Sequence, residues 1–72
     1  MNPVKILLSY DDAAGVWTAT SEDVPGLVLE SGSIDALIER VKIAVPELLE
    51  LNNLPSAPVL AVSAYRTVAA YG

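Results

Sequence analysis

The carboxylates are the side chains in this sequence most able to do chemistry, and four of them stand in adjacent pairs, Asp11-Asp12 and Glu22-Asp23. Paired carboxylates can hold a hard cation or exchange protons with a substrate. A calcium loop alternates its acidic residues around a glycine, and neither pair has that spacing. Both pairs sit in stretches of turn composition, Asp11-Asp12-Ala13-Ala14-Gly15 and Ser21-Glu22-Asp23-Val24-Pro25-Gly26. In such stretches Asp side chains bond nearby backbone groups. Serines are available, among them those at 9, 21, 31, 33 and 63, but the chain has no histidine and no cysteine, and Lys5 and Lys42 stand in no Ser-x-x-Lys arrangement. A serine nucleophile therefore lacks a base. Zinc sites, disulfides and imidazole acid–base chemistry are excluded by the same composition. Gly15, Gly26, Gly32 and Gly72 never cluster into a phosphate-cradling loop. The expectation is a non-enzyme with no catalytic residues, no cofactor and no metal.

Charge points to binding instead. Four basic and nine acidic side chains leave a net charge of −5. That balance repels nucleic-acid phosphates and suits a basic protein partner. Apolar residues make up 53% of the chain and charged ones 18%, below the usual ~25%. A chain of 72 residues forms one domain, residues 1–72, and buries only about 60% of its unfolded surface. Its apolar excess is expected to be hidden against another chain. Lys5 is followed by three apolar residues, Ile6 to Leu8, too few for a secretory signal. No apolar run reaches the ~18–20 residues of a membrane span. The expected location is cytoplasmic, off the membrane.

The elements that must carry these residues can be read from period. Val4, Ile6, Leu8 and Tyr10 alternate with Lys5, Leu7 and Ser9, which predicts a strand. A five-residue hairpin loop, Asp11–Gly15, leads to a return strand, Val16–Thr20, rich in β-branched residues. Pro25-Gly26 predicts a type II turn over Val24–Leu27, and Leu27–Glu30 a short third strand. Ser33 can cap a helix, with Asp35 in its first turn. Beyond it the period becomes 3.6, with Ile34, Leu37, Ile38, Val41, Val45, Leu48 and Leu49 on one face. Pro46 lies on the polar face, where the helix either bends or breaks in two at Val45. Asn52–Pro58 has linker composition. Val59–Tyr71 alternates again for thirteen residues, long for a strand of the usual ~5–6. It either bends or pairs outside its own sheet.

The predicted class is α+β, in the order β-β-β-α-β: a mainly antiparallel sheet with one helix on one face. A right-handed crossover into the last strand gives the sheet order 3-2-1-4. The expected core is Ile6, Leu8, Ile34, Leu37, Ile38, Val41, Val45 and Leu48. One helix leaves the other face open, with Leu7, one of Val16 and Trp17, and part of the last strand on it. Candidate interface residues are Tyr65, Tyr71, Trp17, Glu22 and Asp23. Tyrosine is a frequent interface anchor; Trp17 is more simply a core residue, because its burial dominates a small domain. The long final strand and open face favour a homodimer or higher homo-oligomer.

Taken in order, Tyr10-Asp11, Gly15–Ser21, Asp23-Val24-Pro25-Gly26-Leu27 and the helix Ile34–Leu49 with Pro46-Glu47-Leu48-Leu49 resemble the HicB-like antitoxin superfamily. Within it the chain is most similar to a short, single-domain bacterial family of unknown function. The resemblance covers residues 4–52. It implies a degraded ribonuclease-H-like core without catalytic carboxylates. It also implies an antitoxin-like function, part of a toxin–antitoxin system: masking a small basic toxin that cuts messenger RNA. Asp23, Pro25, Gly26 and Leu27 match the family's turn motif and carry a structural role. Full HicB proteins often have Cys after the motif Gly, where this chain has Leu27, and they add a DNA-binding domain for which a chain ending at Gly72 has no room. No direct nucleic-acid binding is expected. The alternative to an antitoxin is a small self-associating regulatory or structural domain with no toxin partner.

Overall fold

The structure is a computed structural model that describes residues 3–56 and 59–71; the Ala57-Pro58 end of the expected linker lies outside them. The alternating N-terminal segments form β1 (Val4–Asp11), β2 (Val16–Thr20) and β3 (Val28–Ser31), followed by α1 (Ile34–Leu51) and β4 (Leu60–Tyr65). The first three strands form an antiparallel meander, and β4 lies parallel to β1, so the sheet order is β3-β2-β1-β4. Class, element order and strand order are those the sequence predicts. Register places Leu8 opposite Ala19 and Ala19 opposite Leu29, which puts the small and branched residues of three strands on the helix side.

Helix α1 begins where Ser33, in extended conformation, accepts the Ala36 N–H through its hydroxyl at 3.2 Å. It runs unbroken through Pro46, so the two-helix alternative does not occur. Its end is a Schellman motif. Asn53 takes φ 55°, its N–H donates to the Glu50 carbonyl, and the Leu54 N–H reaches back to the Leu49 carbonyl. Asn replaces the usual Gly there because its short polar side chain tolerates the left-handed region.

The buried core is Ile6, Leu8, Ala19, Val24, Leu27, Leu37, Val41, Val45 and Leu49. The helix contributes one row at four-residue spacing, 37-41-45-49. Ile34, Ile38 and Leu48, expected inside, flank that row and are only partly buried. Val24 and Leu27 enter the core from the turn that joins β2 to β3. The Leu27 N–H donates to the Val24 carbonyl at 3.2 Å and Gly26 has φ 86°, as the Pro-Gly pair predicts.

A Cβ on Gly26 would meet only Leu48 Cδ2 at 3.7 Å, an ordinary contact, so the obstacle to a side chain is the backbone angle. Gly26→Ala is expected to cost about 1–2 kcal/mol, lowering Tm by roughly 4–16 °C. Gly32 faces open space with no positive φ, and Gly32→Ala is expected to be neutral or slightly stabilising. Thermal melts of the two variants check the contrast.

Three expected boundaries move. Asp11 pairs with Val16, which shortens the hairpin loop to Asp12–Gly15. The third strand is Val28–Ser31, one residue later than expected, because Leu27 closes the turn. The last strand ends at Tyr65 rather than Tyr71. Its last partner on β1 is Ser9, and two residues later β1 turns into the hairpin, so residues 66–71 pair with no strand among the described residues. Helix α1 lies closest to β2 and β3, and along β4 only Leu60 packs against the core. Val62 is thus 40% exposed although it sits beside Ile6, which is 2% exposed.

Candidate functional site: the open sheet face and its acidic ends

The two acidic stretches lie at opposite ends of β1. Asp11 closes its C-terminal end, where Oδ1 accepts the N–H groups of Ala13 and Ala14 at 3.0 and 3.2 Å and Gly15, at φ 68°, donates to the Asp11 carbonyl. Asp23 sits at the N-terminal end. Its Oδ2 accepts the Lys5 N–H at 2.9 Å, and its own N–H donates to Ser21 Oγ, which in turn donates to the Lys5 carbonyl. Strand β2 ends at Thr20, opposite Leu7. The Ser21-x-Asp23 side chains thus supply the next rung of the ladder in place of backbone. About 20 Å of strand separates the two stretches, so their carboxylates form no joint site. Among the described residues no group of three or more acidic side chains could hold a metal ion.

Asp23 is therefore committed to the fold, while Glu22 beside it is exposed. Asp23→Ala is expected to cost about 1 kcal/mol through loss of a charge-assisted bond, and Glu22→Ala close to nothing. Chemical denaturation of both variants separates the two roles.

The face of the sheet away from α1 carries Leu7, Val28 and Tyr65, exposed by 46%, 67% and 62%. Glu30 lies on that face opposite Thr18. An open groove of about 610 Å³ runs along the end of this face, lined by Pro3, Lys5, Leu7, Thr20, Ser21, Glu22, Asp23 and Ser63. The candidates divide accordingly. Glu22 and Asp23 line the groove and Tyr65 lies on the same face. Tyr71 projects fully exposed beyond the sheet. Trp17 goes to the helix side, half-buried against the core, and Val16 takes the open side. The Trp17 ring meets Tyr10 edge-on at 5.2 Å between centroids, and the Arg66 guanidinium stacks on Tyr10 at 3.9 Å. Sequence reading places Arg66 and Tyr10 on alternating strands but gives no sign that these residues, 56 positions apart, meet.

Val28 and Val62 are exposed apolar residues that sequence reading does not single out. Val28 reads as an ordinary strand residue, and Val62 as one of the alternating residues of the last strand. The signal for Val62 is the shortness of the cover: one helix against four strands.

Residues 3–66 match the profile of a domain of unknown function, DUF1902. The chain is similar along 94% of its length to a hypothetical protein of the extremely thermophilic bacterium Thermus thermophilus, whose crystal structure it matches with a TM-score of 0.82 at 38% identity, covering 99% of that chain. No curated protein matches the sequence.

Proposed function

The chain belongs to the DUF1902 family, and from that premise we propose that it is a non-catalytic protein-binding module of the cytoplasm, an antitoxin-like domain that masks a small basic RNA-cutting toxin. The observation that carries this reading is the open sheet face. It combines exposed Leu7, Val28 and Tyr65 with the carboxylates of Glu22 and Glu30 at its margins. Such a surface fits a partner whose own apolar patch is rimmed by Lys and Arg, as an RNA-gripping surface is. The resemblance of the Asp23–Leu27 turn and the capped helix to HicB-like domains supports the same class of partner.

Chain charge divides the work. All nine carboxylates lie between residues 11 and 50, and their field steers a basic protein inward, faster at low salt. Burial of the apolar residues then sets the dissociation rate, which depends less on salt. Asp23 holds the Lys5 backbone, so its reversal disturbs the fold as well as the charge; Glu22→Lys is the clean probe.

Co-expression with a small basic RNA-cutting protein, sought first in the genes neighbouring this chain's, tests the proposal. That protein alone is expected to arrest growth and cleave messenger RNA, the chain to relieve both, and Glu22→Lys to slow association. RNA cleavage that continues undiminished at molar excess of the folded chain would contradict it.

A further inference from the structure

β4 and the segment after it form a single charge-poor stretch at the edge of the sheet. From Val59 to Tyr71 the only charged residue is Arg66, whereas all nine carboxylates lie upstream. Edge strands are ordinarily blunted by charges, Pro or a bulge, and β4 has no charged residue and no Pro along Leu60–Tyr65. Apart from Leu60, which packs against the core, its residues are exposed on both faces. Residues 66–71 continue the alternation of β4 and pair with no strand among the described residues. They carry Val68 and Tyr71 into solvent at 75% and 106% exposure. The chain accordingly measures 49 × 22 × 18 Å, with a radius of gyration of 13.4 Å against about 11 Å for a compact chain of this length.

We propose that this edge is completed by a second copy of the same chain, the segments Leu60–Ala70 pairing antiparallel about a two-fold axis at Tyr65. The occupant follows from charge. Each chain carries −5, so two copies repel over most of their surface. The final segment is where they can meet without opposing carboxylates. The register follows from parity and side chains. A two-fold axis perpendicular to the sheet keeps each residue on its own face, so residue numbers in opposed pairs must have an even sum. Centring on Arg66 would set two guanidiniums against each other, which is unfavourable. Centring on Tyr65 sets Tyr65 against Tyr65 of the other copy, Ser63 against Thr67, Val62 against Val68 and Ala61 against Ala69. Every pair is uncharged or carries one charge. Val62, left uncovered by α1, receives Val68 from the other copy on the helix side. Arg66 keeps its own Tyr10, which aims the segment along the sheet edge. The alternation that outlasts β4 is thereby used: the second half of the pattern pairs with the first half of its twin. This pairing is independent of whether a toxin is bound.

The chain has no native cysteine, so a single introduced one reports one contact. Tyr65→Cys is expected to form a disulfide-linked dimer under mild oxidation, and Glu47→Cys, on the outer face of α1, to remain reduced. Sedimentation of the wild type at micromolar concentration is expected to give twice the chain mass. Tyr65→Glu, which sets two carboxylates face to face at a position 62% exposed in the single chain, is expected to give a folded monomer with unchanged circular dichroism. A wild-type monomer at micromolar concentration and above would overturn the proposal. So would a dimer in which Glu47→Cys links and Tyr65→Cys does not, or one that Tyr65→Glu leaves intact.

Discussion

Leu37→Ala is expected to lower the unfolding free energy by about 3 kcal/mol, within the ~2–5 kcal/mol range for emptying a fully buried leucine site. Leu37 has no exposed surface and sits in the row that joins α1 to the sheet. The loss has two parts, the transfer of the removed methyl groups and the cavity that a stiff helix–sheet contact cannot close. A domain of this size holds roughly 4–11 kcal/mol in total, so the change removes a large share. Tm should fall by about 12–24 °C. Ile43 and Leu51, at 66% and 78% exposure, are controls on the same helix, and their alanine variants are expected within about 0.5 kcal/mol of the parent. A melt in which Leu37→Ala behaves like these two would mean that α1 does not pack on the sheet through this row.

Pro46→Ala is expected to act in the other direction. Pro46 lies inside the unbroken helix and is exposed, so it removes the hydrogen bond to the Lys42 carbonyl and contributes no buried surface. Proline in a helix interior is about 3 kcal/mol worse than alanine. Part of that is returned because proline restricts the unfolded chain. The net expectation is a gain of about 1–2 kcal/mol and a rise in Tm of roughly 4–16 °C. The measurement also decides what the proline does. If Pro46→Ala lowers Tm, the proline helps to seat Leu48 and Leu49 beside the Val24–Leu27 turn, and the local helix penalty is offset by packing.

The helix and meander are legible because their signals are local and redundant. The Ser33 cap, the 37-41-45 spacing and the Pro25-Gly26 turn each name a conformation through one or two residues, and all agree with the strand alternation around them. What escapes reading depends on contacts between distant segments. Val24 and Leu27 look like turn residues until the turn is folded over the helix end. Asp23 reads as part of a turn, but its bond to Lys5, 18 positions earlier, appears only when β1 pairs with β2. The thirteen-residue alternation at the C-terminus is a true pattern, but strand length is set by the partner, and β1 supplies pairing only as far as Ser9. The lateral position of α1, nearest β2 and β3, has no sequence signature, and it decides which strand is left most exposed.

The central claim is that this chain works by holding another protein against its open sheet face. Native mass spectrometry of the untagged chain purified from its own host tests it most directly. The predicted result is a complex that contains this chain together with a small basic polypeptide, whose release requires more than raised salt. Recovery of this chain with no basic polypeptide bound would contradict it.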